Sequence, residues 1–230
     1  MGEGFGNDEA LMPFISSANI ACGYHAGDVD TMKQVISLCL KYNVHIGAHP
    51  SFPDKENFGR KQMQLPPGEI YKMVTAQLTV LNDTAIEYGT KLHHVKPHGA
   101  LYNMAARDVI LAKAIAQAVK DFDASLIYFG LSGSVMIDEA IKLGLFAAHE
   151  VFADRTYQPD GSLTARGIPN ALITNTDEVL KQVIKLVKEN KLVSVTGEEI
   201  IIKADTICIH GDGMQAVEFA KAIMNELSEN

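Results

Sequence analysis

The chain has 230 residues, 47% of them apolar, a formal net charge of −8 and a pI near 5.4. That length is enough to bury one full α/β core, and the acidity, with no basic run longer than two residues, argues against a nucleic-acid partner. Residues 1–7 lack the basic and apolar regions of a leader, and no run approaches bilayer-spanning length, so no membrane association and a cytoplasmic location are expected. The three cysteines, at 22, 39 and 208, form no CxxC pair and suit a reducing compartment.

In chain order, an apolar run at 20–22 leads into Gly-Tyr-His-Ala-Gly-Asp. Asp28 is a natural N-cap, and Met32, Val35, Ile36, Leu38 and Cys39 recur at helical spacing, which predicts a helix over 29–42. A strand at 44–48 follows, with His45, Gly47 and His49 on one face and Val44, Ile46 and Ala48 on the other. After a Pro- and Gly-rich loop at 50–65, Pro66-Pro67 opens a second helix that Gly89 closes. Residues 93–96 read as a strand, Asp108 caps a helix over 109–122, 125–131 is a strand, 134–143 a helix and 145–152 a strand. A long loop at 153–170 precedes a helix at 177–190. A hairpin follows around Thr196-Gly197, then a strand at 206–209 and a last helix at 214–227. Repeated strand–helix units predict a parallel sheet with helices outside, in a single domain over 1–230. The face parity at 44–49 favours a βα barrel over an open doubly wound sheet.

Polar residues follow each of the main strands, and in parallel βα folds the loops after the strands converge on one face. The densest such word is Lys96-Pro97-His98-Gly99-Ala100-Leu101-Tyr102. A lysine at the end of a buried strand needs an anion, so Lys96 is a candidate to polarise a carbonyl or hold a phosphate, and His98 to move protons near neutral pH. His25 and His49 are candidate substrate or phosphate ligands, as are Tyr102 and Glu150. The alternatives are a structural carboxylate partner for Lys96 and histidines satisfied by backbone carbonyls.

Together with Asp212, and with Asp28 and Asp54 as further carboxylates, His25 and His49 form a candidate set for a divalent metal, although no HExxH word supports it. Asp154 and Arg155 stand at another strand exit, as base or orienting carboxylate and as anion clamp, or else as a surface ion pair. His210-Gly211-Asp212-Gly213 offers backbone amides to an oxyanion or phosphate ahead of the last helix. Neither a dinucleotide fingerprint nor a Walker loop is present.

Several of these words together resemble the LamB/YcsF family: the stretch from Ser16 to Asp28, Gly47-Ala-His-Pro50, the Lys96 to Tyr102 word, Glu150 to Arg155, Tyr157 to Gly161, and Ala204 to Asp212. The resemblance implies a seven-stranded, TIM-like βα barrel related to glycoside hydrolases and deacetylases. It also implies a hydrolase role in converting 5-oxo-L-proline to L-glutamate with ATP hydrolysis, alongside two companion subunits. ATP, with Mg2+, is then handled by this chain or by its partners. One departure stands out: the family usually opens with a strand reading Asp-Leu-Asn-x-Asp-Leu-Gly-Glu, and here only Gly2-Glu3-Gly4-Phe5-Gly6 follows Met1. The first barrel strand is therefore expected to be missing. The rival readings are a metal-dependent deacetylase or carbohydrate hydrolase, and a non-catalytic chain that binds a small molecule for its partners.

Overall fold

The computed structural model describes residues 1–228, and the chain divides into two compact units. The first comprises Met1–Gly130 with Ser134–Ala147; the second comprises Leu131–Gly133 and the chain from Ala148 onward. The strands are β1 (Ser17–Ala21), β2 (His45–His49), β3 (His94–Val95), β4 (Ile127–Leu131), β5 (Phe146–Phe152), β6 (Lys191–Val193), β7 (Glu199–Ile201) and β8 (Thr206–Cys208). The helices are α1 (Asp8–Leu11), α2 (Val29–Tyr42), α3 (Pro67–Glu87), α4 (Gly99–Ala105), α5 (Val109–Phe122), α6 (Val135–Lys142), α7 (Thr176–Glu189) and α8 (Ala216–Ser228). Among the described residues, no helix is long and apolar enough to cross a membrane.

Six strands are neighbours in the order β1-β2-β3-β4-β5-β8, and β6 and β7 form a separate antiparallel pair. The pairs β1–β2, β2–β3, β3–β4 and β5–β8 are parallel. The order is open, ending at β1 and β8, which corrects the expectation of a closed seven-stranded barrel. Its physical reason lies in two segments. Gly2, Gly4 and Gly6 all have positive φ, so residues 2–6 turn instead of extending. The hairpin strands pair with each other, so neither joins the larger sheet. Met1 alone pairs alongside β1: its amino group donates to the Asn19 carbonyl at 2.9 Å and its carbonyl accepts from the Ala21 N–H at 3.0 Å, one parallel rung opposite Ile20.

Within the first unit the alternation of each strand decides what it buries. Ala18, Ile20, Ile46, Ala48, Val95 and Tyr128 share the face whose strands meet α2 and α3, and each of these residues is buried. The opposite face carries Asn19, Gly47, His94 and Phe129. There the His94 Nε2 bonds Asn19 Oδ1 at 3.0 Å, and its ring stacks on Phe129 at 4.2 Å. Asp28 caps α2 by accepting from the Thr31 N–H at 2.8 Å, and Asp108 caps α5 through the N–H groups of Ile110 and Leu111. In the second unit, Ala153, Val179, Val183, Phe219 and Ile223 form the core between α7 and α8. All three cysteines are buried and unbridged.

Candidate active site

On the functional face of the first unit, β2 ends at His49 and β3 is followed at once by Lys96, so the parity that places Gly47 and His94 on one face also delivers these two side chains. His49 is 8% exposed, Lys96 5% and His98 8%. His98 occupies the N-cap position of α4, yet its side chain makes no capping bond. Its Nδ1 instead lies 3.0 Å from His49 Nε2, and its Nε2 donates to the Phe58 carbonyl at 2.8 Å. His49 Nδ1 donates to the Lys96 carbonyl at 2.6 Å.

His25 lies in the turn after β1 and stacks on His98, with ring centres 3.8 Å apart and planes 8° apart. Its Nδ1 contacts Ser51 Oγ at 2.9 Å and its Nε2 contacts Glu3 Oε1 at 3.1 Å. Both ring nitrogens thereby have partners, and His25, expected in the metal set, is not among the residues whose ligand atoms converge. Asp212, another member of that set, follows β8 in the second unit, and Asp54 is tied to Asn57 and the Lys61 N–H on an exposed loop. Among the described residues, the potential ligand atoms that do converge, within 4.8 Å of one another, belong to Glu3, His49 and His98. Lys96 Nζ lies 5.7 Å over the Tyr102 ring, which is itself buried in α4.

Burial dominates the electrostatics here. It pushes His98 down to about 3, with the neighbouring His25 adding to the shift, and it holds His49 well below the ordinary imidazole range. Both rings are therefore neutral near pH 7. Burial works the other way on Glu3, but the terminal ammonium of Met1, the bond from His25 and the charges of His98 and His25 outweigh it, bringing the carboxyl to about 2.

Glu3, Ser51 and Gln77 are site residues that sequence reasoning missed. Gln77, fully buried on α3, accepts from the Ser51 N–H at 2.9 Å and donates to the Ser51 carbonyl at 2.9 Å, so one side chain fixes the exit of β2. A glutamine within the apolar stripe of α3 is the signal that marks it.

In the second unit, Asp154 lies two residues beyond β5 and His210 two beyond β8. Asp154 Oδ1 is 2.8 Å from His210 Nδ1, and its Oδ2 accepts from the His210 backbone N–H at 3.1 Å. Burial raises the Asp154 carboxyl, but the charge and hydrogen bonds of His210 outweigh it and leave it below the usual range. This orients the imidazole by a buried carboxylate, the geometry of a base held by a second group. Arg155 does not act as the expected anion clamp: its Nε donates to the Ala171 carbonyl at 3.2 Å and its Nη2 to that of Thr164. Only 4% exposed, it braces the loop after β5. Gln182 of α7 completes that brace by donating to the carbonyls of Phe152, Ala153 and Arg155. Glu150 is buried within β5, and Gly211 and Asp212 stand in the turn ahead of α8.

The family model described as the LamB/YcsF family matches residues 1–230. The chain belongs to the LamB/YcsF family. Among its relatives, the 5-oxoprolinase A subunit of Oceanobacillus iheyensis is 54% identical over 222 residues, covering 96% of this chain and 86% of that one. The protein of the same name from Staphylococcus epidermidis is 53% identical, covering 99% and 92%. The crystal structure of the lactam utilization protein from Thermus thermophilus superposes with a TM-score of 0.91 at 41% identity, covering 97% of this chain and 90% of the other. Within this LamB/YcsF chain, the words that end its strands also hold its buried titratable groups.

Proposed function

We propose that this chain is the A subunit of an ATP-dependent 5-oxoprolinase that opens 5-oxo-L-proline to L-glutamate together with two companion subunits. The observation that carries the reading is the pairing of buried, oriented titratable groups at strand exits with relatives of that name more than half identical over nearly the whole chain. Lactam opening adds water across a resonance-stabilised C–N bond. Phosphorylation of the lactam carbonyl oxygen at the expense of ATP makes that carbon a better electrophile, and attack by water then releases phosphate and the free amine. Without a Walker or kinase-like loop in this chain, nucleotide handling, with its Mg2+, falls to the companions.

In the first unit Lys96 supplies positive charge to a bound carboxylate or to an oxygen that gains negative charge; in the second, His210, oriented by Asp154, is a base able to take a proton from water. The Tyr102 ring on α4 lies 5.7 Å from the Lys96 ammonium. The test is Lys96→Met in the assembled three-subunit enzyme. A charge-assisted contact contributes about 1.5–3 kcal/mol, so glutamate formation should fall about 10- to 100-fold while the unfolding midpoint stays near that of the parent, with partial recovery in Lys96→Arg. Undiminished turnover in a folded Lys96→Met complex would remove Lys96 from the reaction.

A further inference from the structure

We propose that Glu3, His49 and His98 form a binding site for one divalent first-row transition-metal ion, zinc foremost. The acceptors around the two rings fix where their protons must be. A carbonyl oxygen only accepts, so His49 Nδ1, 2.6 Å from the Lys96 carbonyl, carries a hydrogen, as does His98 Nε2, 2.8 Å from the Phe58 carbonyl. In neutral rings the remaining nitrogens, His49 Nε2 and His98 Nδ1, are then both bare lone pairs. They face each other at 3.0 Å in a buried setting. Two acceptors at that distance repel unless a cation lies between them.

A metal ion satisfies the arrangement without rebuilding it. Bonds of about 2.0–2.1 Å at angles between tetrahedral and octahedral put neighbouring ligand atoms about 2.9–3.4 Å apart, which the two nitrogens already meet. Glu3 Oε1 lies 3.9 Å from His98 Nδ1, and the three ligand atoms lie within 4.8 Å of one another, so the carboxylate joins the two nitrogens by closing about 0.5–2 Å. Two imidazoles and one carboxylate suit zinc among the available divalent ions, and three protein ligands leave a position for water or a substrate oxygen. The outer shell is in place: each imidazole donates its far N–H to a backbone carbonyl, and Glu3 is held by His25, which is held in turn by Ser51. Such outer partners set ligand orientation in metal sites. The inference concerns this geometry alone and does not require the 5-oxoprolinase reading.

The test is titration of the chelator-treated full chain with Zn2+ by calorimetry, and with Co2+ by visible absorption. Uptake of one ion per chain, with a Co2+ spectrum of nitrogen and oxygen ligation, is expected. His98→Ala and Glu3→Gln should abolish or strongly weaken it, and His25→Phe, which keeps the ring stack but loses the bond to Glu3, should weaken it about 10- to 100-fold. His93→Ala, in the separate histidine group at the start of β3, should bind as the parent does. If His98→Ala does not fold, Glu3→Gln carries the test. Absence of stoichiometric Zn2+ or Co2+ uptake by the parent chain would overturn the proposal and leave the two nitrogens sharing a proton. Uptake unaffected by Glu3→Gln and by a folded His98→Ala would overturn it as well.

Discussion

Gly47→Ala is expected to destabilise the chain by about 3 kcal/mol or more, enough to consume a large part of an ordinary domain's stability. A β-carbon at this position would stand 2.0 Å from His94 Nε2, 2.2 Å from its Cε1 and 2.4 Å from its Cδ2. The ring has no room to retreat. It is fully buried, bonded to Asn19 Oδ1 and stacked on Phe129, so relief requires β2 and β3 to separate or the Asn19 bond to break. Denaturant unfolding measures the loss. The double variant Gly47→Ala with His94→Ala should recover part of it, because the same clash is removed from the other side. A single Gly47→Ala variant within about 1 kcal/mol of the parent would show that the face is not packed as described.

Asp154→Asn is expected to lower glutamate formation by the assembled enzyme about 10²- to 10⁴-fold, chiefly in kcat. Asp154 Oδ1 and Oδ2 lie 2.8 and 3.0 Å from His210 Nδ1, and Oδ2 also accepts from the His210 backbone N–H at 3.1 Å. An amide keeps only one acceptor and sets an NH2 donor against the Nδ1–H where the other stood. The imidazole then loses the two-oxygen hold and the negative charge that stabilises it when it takes a proton. Steady-state kinetics with an unchanged unfolding midpoint is the measurement. A change confined to KM would place the pair in substrate binding instead.

Much of the fold was legible because its signals are local. The Asp28 cap with the Met32, Val35, Ile36, Leu38, Cys39 stripe predicts a helix over 29–42, and α2 spans Val29–Tyr42, with all of the stripe but the half-buried Leu38 in the core. Thr196-Gly197 predicts the turn between β6 and β7, and Pro66-Pro67 the start of α3. The strand expected over 93–96 shrinks to two residues, since Pro97 has no N–H to continue the ladder. The seven-residue helix α4 escaped notice because it is hidden inside a word rich in reactive side chains, with no stripe long enough to show a period.

The candidate site was legible in its chemistry and not in its partners. His49, Lys96 and His98 stand out because each follows an apolar strand. Glu3 does not, because its partner His25 is 22 positions away and is reached only through the turns of residues 2–6. Arg155 reads as an anion clamp from sequence since its actual partners are the carbonyls of Thr164 and Ala171, which every residue possesses and no motif reveals. Ser51 and Gln77, 26 positions apart, are likewise brought together only by packing of α3 on the exit of β2.

The most direct measurement is glutamate formation from 5-oxo-L-proline by this chain alone and by the chain combined with its companion subunits, each with and without ATP. Glutamate is expected only from the complete set with ATP present, with one phosphate released per ring opened. Robust ATP-dependent glutamate formation by the isolated chain, or none from the complete set, would contradict the account.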